Sequence, residues 1–291
     1  MAKRKSIKLW MVLTIAFGVA LLIVGILLFS LWISGLRIIT YETSEHGKIR
    51  FVGLVDRKSG TPRDGKIFYA DGQTGDLNSA EGEIEFKNGT VIKGNIATIK
   101  YSGGSVYTGE IAYMLRDGKG IYEFVGGDVY EGDFDYDNIT GVGTYYYSNG
   151  DVYHGQFNNG EKSGTGTYTW AADTNGKSDV YTGEFRGDKR NGTGIYTYAS
   201  GSIYSGDYVN DVKCGNGTMI FASGDRYEGE FKNDLRNGTG SYYFASGDSY
   251  IGHFYNGTIT GYGCYHWAAG DRADYTGYFE NGVIVTATDP E

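Results

Sequence analysis

Two hydrophobicity patterns divide the chain at Arg37. From Leu9 to Leu36 every residue is uncharged and Leu, Ile, Val, Phe and Ala dominate, whereas the remainder alternates between apolar and polar positions. At ~1.5 Å rise per residue, the uncharged run exceeds the ~30 Å hydrocarbon core of a bilayer, which predicts a transmembrane helix. Alternation with a period of two predicts β-strands. We therefore expect one N-terminal membrane-spanning helix followed by β-structure.

The flanks of the apolar run indicate how the helix lies in the membrane. Trp10 and Trp32 near its ends, and Lys8 and Arg37 just outside it, are residue types that favour the membrane interface. The N-terminal flank is cationic and contains no acid, so the positive-inside rule places the tail in the cytoplasm and the repeats outside it. A cleaved secretory signal is the alternative, but such signals carry apolar stretches of only ~7–15 residues.

The alternating region repeats itself. The pattern Tyr-x-Gly-x-aromatic or aliphatic occurs eight times from Tyr107 to Phe279, and five of the seven steps between its tyrosines are 23 residues long. Two longer steps carry turn-like insertions at 171–178 and 268–273. A fixed period of about 20–50 residues is the signature of stacked repeat proteins.

Each repeat predicts one β-hairpin. Tyr130, Gly132 and Phe134 fall on one face of a strand by the period of two, and Ser148-Asn149-Gly150-Asp151 predicts a turn. Because a glycine between two aromatics recurs, we expect rings of neighbouring strands to lie over it. The candidate binding face consists of the aromatic side chains at these positions: Tyr107, Tyr130, Phe134, Tyr153, Phe157, Tyr181, Phe185, Tyr204, Tyr208, Tyr227, Phe231, Tyr250 and Phe254.

Weaker copies of the pattern precede the regular array. They begin at Phe51, Gln73 and Ile92. The predicted organisation is a basic cytoplasmic tail (1–8), a transmembrane helix (9–36), a juxtamembrane linker (37–46), degenerate repeats (47–99), regular repeats (100–285) and a C-terminal tail (286–291).

The repeat resembles that of MORN-repeat (membrane occupation and recognition nexus) proteins. The resemblance rests on Tyr-x-Gly-x-Phe at the start of each unit and on the following Gly-x-Gly-x-Tyr element, which ends here in segments such as Gly143-Thr-Tyr145 and Gly166-Thr-Tyr168. It implies one elongated antiparallel sheet of successive hairpins. It also implies a scaffold that organises membranes, cytoskeleton or attached catalytic domains, although the repeats leave no room here for such a domain.

The same implied fold predicts how far apart the two cysteines lie. Cys214 and Cys264 belong to hairpins two repeats apart, which at ~4.8 Å per strand places them about 20 Å from each other. A disulfide needs Cα atoms within ~7 Å, so we expect no disulfide between them.

Charge excludes several classes of partner. Removing residues 1–37 takes away five positive charges and no negative ones, so the net charge of −9 becomes −14 for the remainder. Nucleic acids and anionic lipid headgroups select Lys/Arg patches, so neither is expected as a partner of the array. The aromatic content argues against disorder.

No constellation of residues predicts catalysis, a cofactor or a metal site. The histidines His154 and His253 occupy slots where other repeats carry ordinary polar residues. Gly-Asp recurs before the repeat tyrosine, but one acid per turn is too few for the 6–8 oxygen ligands of Ca²⁺, so we interpret the aspartate as turn-forming. We expect a protein that is not an enzyme.

Asn-x-Ser/Thr also recurs, and it has two interpretations. In an exported eukaryotic protein it would mark glycan acceptors, whereas Asn-Gly-Thr also reads as part of the repeat's own loop. The asparagines concerned are Asn88, Asn138, Asn191, Asn216, Asn237 and Asn256.

Three functional hypotheses follow. The first is a non-catalytic scaffold that reaches the bilayer through its N-terminal helix, binds a protein partner along the array and self-associates through terminal strand edges. The second is an extracytoplasmic carbohydrate- or cell-wall-binding module, in which aromatic rings stack on sugars. The third is a lipid-binding array, which the acidic charge disfavours.

Overall fold

The computed structural model describes residues 35–43, 46–270 and 272–285. These residues form 21 β-strands, and none of them lies in a helix. The chain divides into two compact units, residues 1–125 and 126–291. Within each unit, strands that are neighbours in sequence pair antiparallel. The predicted all-β fold of successive antiparallel hairpins is confirmed.

The first unit contains seven strands, of which β4 and β5 are the longest in the described chain. In chain order they are β1 Leu36–Thr43, β2 Gly47–Val55, β3 Pro62–Phe68, β4 Thr74–Glu85, β5 Val91–Tyr101, β6 Val106–Ala112 and β7 Leu115–Glu123.

The second unit contains fourteen strands in a strict rhythm, in which a seven-residue strand alternates with one of nine residues until the last hairpin. The strands are β8 Val129–Asp135, β9 Asn138–Tyr146, β10 Val152–Asn158, β11 Glu161–Thr169, β12 Val180–Arg186, β13 Lys189–Thr197, β14 Ile203–Val209, β15 Val212–Ile220, β16 Arg226–Lys232, β17 Leu235–Tyr243, β18 Ser249–Tyr255, β19 Thr258–His266, β20 Tyr275–Glu280 and β21 Val283–Val285.

Two turn types alternate in the second unit. Within a repeat the strands are joined by two residues with positive φ, such as Asn210 (49°) and Asp211 (72°), which is the geometry of a type I′ hairpin turn. Between repeats the turn is longer: the Tyr147 N–H donates to the Asp151 carbonyl at 2.9 Å, and Gly150 has φ of 93°. The asparagines and glycines of the sequence occupy these positions because they tolerate positive φ.

The core of the second unit is a row of aromatic rings on one face of its sheet, which we call the aromatic face. Tyr130 contacts Phe134 of its own repeat and Phe157 of the next, both edge-on with ring centroids 5.2 Å apart. The same two contacts recur down the unit to Phe279. Edge-to-face packing is a favoured geometry for aromatic pairs. Each repeat therefore extends the core by two rings that contact each other and the rings of the next repeat.

The N-terminal predictions fall mostly outside the described residues. This applies to residues 9–34 of the predicted helix, and to Lys8, Trp10 and Trp32. Among the described residues, no helix is long and apolar enough to cross a membrane. The segment interpreted as a linker differs from that prediction, because Leu36–Thr43 is strand β1 and pairs with β2 along its whole length. Arg37 lies in β1, where its guanidinium donates to the Leu36 carbonyl at 2.8 Å.

The degenerate repeats keep part of the regular geometry. Gly53 lies opposite Gly65, and a Cβ on either would come within 2.7 Å of the Phe51 ring, as expected for an aromatic over a glycine pair. The copy aligned on Gln73 is displaced by two residues. Gly75, not Gln73, lies opposite Ile67 and so takes the place of the repeat tyrosine.

Candidate functional site

The repeat tyrosine explains how each hairpin of the second unit closes. The register between β10 and β11 shifts between Gly155 and Gln156, where a β-bulge leaves Gly164 and Thr165 of β11 without a partner on β10. The Tyr153 ring crosses its own Gly155, and its hydroxyl donates to the Gln156 carbonyl at 2.9 Å. The same bond is made by Tyr130, Tyr181, Tyr204, Tyr227 and Tyr250. Phenylalanine at this position would remove a hydrogen bond that fixes the backbone at the bulge.

The acidic residue that follows the repeat glycine accepts hydrogen bonds from the paired strand at the bulge. The Glu184 carboxylate accepts from the Thr193 N–H and from its hydroxyl, both at 2.9 Å. The bond from the backbone N–H lowers the pKa of Glu184, and the Thr239 N–H does the same for Glu230. These carboxylates therefore have a structural task in the hairpin.

The recurrent turn aspartate joins consecutive repeats. Asp225 accepts from the Ala245 N–H in the following turn at 2.8 Å and from the Tyr242 hydroxyl at the end of β17 at 2.9 Å. The backbone bond is the largest cause of the lowered pKa of Asp225. Five aspartates make the same two bonds. Each accepts from a backbone N–H 20 residues later and from a tyrosine hydroxyl 17 residues later: Asp128, Asp151, Asp179, Asp225 and Asp248. The aspartate therefore ties one hairpin to the next, which the interpretation as a simple turn former missed.

The aromatic residues of the predicted binding face are buried. All thirteen, from Tyr107 to Phe254, are at most 7% exposed. The first tyrosine of each repeat covers a glycine pair, and the second aromatics pack edge-on against these tyrosines. These side chains therefore form the core of the sheet, whereas a binding face made of their rings would need them exposed.

A second row of rings lies on the same face, beside the core. We call it the outer ring row: Tyr145, Tyr147, Tyr168, Trp170, Tyr196, Tyr198, Phe221, Tyr242, Phe244, Tyr265 and Trp267. Neighbouring rings are tilted, with centroids 4.4–5.8 Å apart from Tyr145 to Tyr198 and 4.6–6.0 Å apart from Phe221 to Trp267. All are half-buried except Tyr196, which is buried. Met219 interrupts the row where the other repeats carry tyrosine.

Four cations lie between the core and the outer ring row: Lys162, Arg190, Lys213 and Arg236. Each lies opposite the second core aromatic of its repeat, as Arg190 lies opposite Phe185. The Arg190 guanidinium is 5.0–5.7 Å from three ring centroids and forms an ion pair with Asp211 at 3.0 Å. We call this set the cation row. Its signal in the sequence was a Lys or Arg at one fixed position in four consecutive repeats.

The opposite face of the sheet is polar and carries two of the histidines. His154 is exposed, and its Nδ1 lies 2.9 Å from the Thr144 hydroxyl; His253 is also exposed. A shallow groove over β9–β12 is lined by His154 with Thr165, Thr167 and Thr182. Within the described ranges there is no group of three His, Cys, Asp or Glu residues that would hold a metal ion.

The two cysteines are not bonded to each other. Cys214 lies on β15 and Cys264 on β19, and both are free and half-buried. The prediction of no disulfide agrees with these positions.

These features define a repeat protein whose hairpins share one tyrosine–glycine core. The family model described as MORN repeat matches residues 107–129, 130–152, 153–174, 181–203, 204–226, 227–249 and 250–272, more than half of the chain. The chain belongs to the MORN repeat family.

Comparison with individual proteins adds less. No curated protein matches the chain. A solved structure from Drosophila melanogaster, described as the SAS-4 (dCPAP) TCP domain in complex with a proline rich motif of Ana2 (dSTIL), is 16% identical and covers 60% of this chain and 90% of that one, with a TM-score of 0.35. A streptogramin B lyase structure is 9% identical and covers 85% of both chains, with a TM-score of 0.16. At these TM-scores neither similarity supports a functional statement.

Proposed function

We propose that this chain is a non-catalytic, membrane-anchored MORN-repeat scaffold that holds a protein partner on the aromatic face of its second unit. The partner contacts the outer ring row and the cation row, while the core tyrosines and phenylalanines hold these rows in place. The N-terminal apolar run supplies attachment to the bilayer, with the repeats on the extracytoplasmic side.

The outer ring row, which is interrupted only at Met219, is the observation that carries this proposal. Half-buried Tyr, Trp and Phe side chains extend from β9 to the turn after β19, and partly buried cations lie beside them. Tyr, Trp and Arg are the residue types that dominate binding energy in protein interfaces. A repeated row of this kind suits an extended protein segment, because stacked repeats present extended surfaces.

The remaining chemistry of the repeat supports a non-catalytic role. The carboxylates of Glu184, Glu230 and the turn aspartates accept hydrogen bonds that hold the hairpins together. The anchor rests on the uncharged run Leu9–Leu36, since an array with net charge −14 is poorly suited to bind anionic headgroups directly.

The test is crosslinking of the full-length chain in its host cells, with mass-spectrometric mapping of the crosslinked sites. We expect a protein partner whose crosslinks cluster on the aromatic face of β9–β19. The double variant Trp170→Ala, Phe244→Ala, which removes two rings of the outer row, is expected to lose that partner.

The matched control is the double variant Tyr262→Ala, Tyr278→Ala. These two rings contact each other on the opposite face, with centroids 5.4 Å apart, and are 53% and 64% exposed. The control is expected to retain the partner. Equal loss in both variants, or release of the chain from cell material by soluble polysaccharide, contradicts the protein-scaffold proposal. Protection of the repeats from protease in intact cells contradicts the proposed orientation.

A further inference from the structure

One repeat in the middle of the second unit departs from those on either side of it at three positions. It is the repeat of β14 and β15, and it has Ser202 in place of the turn aspartate, Tyr208 in place of a phenylalanine and Met219 in place of a tyrosine of the outer ring row. The Ser202 hydroxyl accepts the Ala222 N–H at 3.0 Å, so the turn keeps its backbone bond. Because Met219 has no hydroxyl, the second bond of the turn aspartates has no donor here. The changes at 202 and 219 therefore belong together.

The change at Met219 opens a gap in the outer ring row. Met219 lies opposite Tyr204 on one neighbouring strand and Tyr227 on the other, and it is half-buried. Tyr198 ends one run of contacting rings and Phe221 begins the next, and no ring contact joins these two in the described part of the chain. A methionine side chain is narrower than a ring and adapts its shape to what binds it. The aromatic face therefore has one position at which a partner's side chain can enter between the rings.

The change at Tyr208 places a hydroxyl group in the core. The Tyr208 ring packs edge-on between Tyr181 and Tyr204, with centroids 5.3 Å from each, as the phenylalanines of the other repeats do. Tyr208 is 1% exposed, and its hydroxyl has no hydrogen-bond partner among the described residues. A buried donor without an acceptor costs free energy, so phenylalanine would make this repeat more stable. The hydroxyl therefore has no structural task in the hairpin.

The cation directly opposite Tyr208 differs from the others of the cation row. This cation is Lys213, whose ammonium lies 5.3 Å from the ring centroid of Tyr198, at the border of the gap. In the described structure this ammonium forms neither an ion pair nor a hydrogen bond. A positive charge and an unsatisfied hydroxyl donor therefore stand opposite each other at the one interrupted position of the outer ring row.

Comparison with a regular repeat shows which group is missing. In the repeat of β10 and β11 the Asp188 carboxylate pairs with the Lys162 ammonium at 3.2 Å and accepts the Lys162 N–H at 3.0 Å. The equivalent carboxylate of Asp234 accepts the Lys213 N–H at 3.0 Å but does not pair with the Lys213 ammonium. The Lys213 ammonium is therefore complementary to a carboxylate that another molecule supplies.

We infer that the repeat of β14 and β15 is the anchor site for the protein partner, and that it takes a glutamate or aspartate side chain of that partner. The side chain enters the outer ring row at Met219, and its carboxylate pairs with the Lys213 ammonium and accepts a hydrogen bond from the Tyr208 hydroxyl. The long Lys213 side chain moves outward with the carboxylate, which opens the way to that hydroxyl. This inference rests on the proposed scaffold function and deepens it, because it names the chemistry that the partner presents.

The test is zero-length crosslinking with a water-soluble carbodiimide, which joins an amine to a carboxylate in contact with it. The reagent is added to opened host cells that contain the full-length chain, and the new amide bonds are mapped by mass spectrometry. We expect an amide bond between Lys213 and a glutamate or aspartate of a partner protein, while Lys162 is joined to its own Asp188. An amide bond between Lys213 and Asp234, or none at Lys213 while the partner is bound to the aromatic face, overturns the inference.

Substitutions in the same repeat separate binding from folding. The double variant Ser202→Asp, Met219→Tyr restores the residues of the regular repeats and fills the gap. Its stability in urea unfolding should not fall, whereas the yield of the Lys213 crosslink should fall at least about tenfold. Tyr208→Phe should also lower that yield without destabilising the chain, because it removes only the hydroxyl that the carboxylate would accept from.

The matched control is Met219→Leu, which keeps the gap open and should retain the crosslink. Equal loss in Met219→Leu and in the double variant would contradict the role of the gap. The scaffold proposal fails separately: if Trp170→Ala, Phe244→Ala keeps the partner, the partner does not lie on the outer ring row. If that variant loses the partner but Ser202→Asp, Met219→Tyr keeps the Lys213 crosslink, the scaffold proposal stands and the anchor site is wrong.

Discussion

The hairpins of the second unit and the β4–β5 hairpin of the first unit treat their glycine pairs differently. In the second unit each pair lies under a tyrosine whose hydroxyl satisfies a bulge carbonyl, and a type I′ turn follows. In the first unit the chain from Thr74 to Tyr101 lacks Tyr-x-Gly-x-Phe and has no two consecutive residues with positive φ, and it forms the two longest strands of the described chain. The contrast indicates that the tyrosine, the bulge and the turn act together to divide the chain into short hairpins.

The largest expected effect comes from filling one glycine of the tyrosine-covered pairs. A Cβ at Gly166 would lie 2.5–2.6 Å from the Tyr153 ring, whereas a Cβ at Gly82 of the first unit meets nothing closer than 4.0 Å. Overpacking of this kind costs about 1–3 kcal/mol, so Gly166→Ala should destabilise β10–β11 by that amount. Hydrogen exchange of the full-length chain, resolved by peptide, measures it.

The control for this prediction is Gly82→Ala, which should leave the protection of β4–β5 unchanged. Equal loss of protection in the two variants would mean that ring cover is not what distinguishes the units.

Removal of a single hydroxyl is expected to have the next largest effect. Tyr153→Phe leaves the Gln156 carbonyl without its donor, which costs about 1–2 kcal/mol. The matched variant is Tyr208→Phe: this hydroxyl is buried and has no hydrogen-bond partner in the described structure, so its removal should be neutral or stabilising. Urea unfolding of both variants gives the difference, and a greater loss for Tyr208→Phe would contradict the assigned role of the repeat hydroxyl.

Acid should weaken the links between repeats of the second unit. Backbone N–H donors lower the folded-state pKa of Asp128, Asp225 and Asp248 below the unfolded value. These aspartates therefore contribute stability that is fully present above the unfolded pKa and is lost as pH falls through the folded pKa. In urea unfolding, Asp225→Ala should lower stability at neutral pH and flatten its decline toward acid.

Asp225→Ser is the informative control, because Ser202 occupies the equivalent position in another repeat and its hydroxyl accepts the Ala222 N–H at 3.0 Å. This variant should retain more stability at neutral pH than Asp225→Ala. An unchanged acid decline in both variants would show that the turn aspartates do not govern it.

The smallest expected difference in stability is between replacing a partly buried cation and replacing an exposed one. Arg190 is 21% exposed and is bound by Asp211 and three rings, so Arg190→Met should cost about 1 kcal/mol. Lys93 of the first unit is 76% exposed, and Lys93→Met should change stability by no more than about 0.5 kcal/mol. Thermal unfolding of both variants at low and high salt measures the two losses of stability. Equal losses would contradict a stabilising role for the cation row.

Much of the second unit was predictable because its determinants are local. The spacing of Tyr130, Gly132 and Phe134 predicted the strand and a ring over the glycine, and Ser148-Asn149-Gly150-Asp151 predicted the turn between repeats. The first unit was less predictable, because its motifs are weak: the copy at Gln73 was displaced by two residues, and β1 was interpreted as a linker. Strand β1 pairs with β2 along its whole length, and the residues of Leu36–Thr43 alone do not identify that partner.

By itself the sequence determined the family, the hairpin period, the recurrent glycine between two aromatics and the separation of the two cysteines, since each depends on residue type at a fixed spacing. Only the tertiary structure decided which rings are accessible. Tyr153 and Tyr168 lie on the same face and look alike in the sequence, yet the first is buried under rings of the next repeat and the second is half-exposed. Exposure depends on what the neighbouring repeats place over a side chain, and a pattern within one repeat carries no record of that.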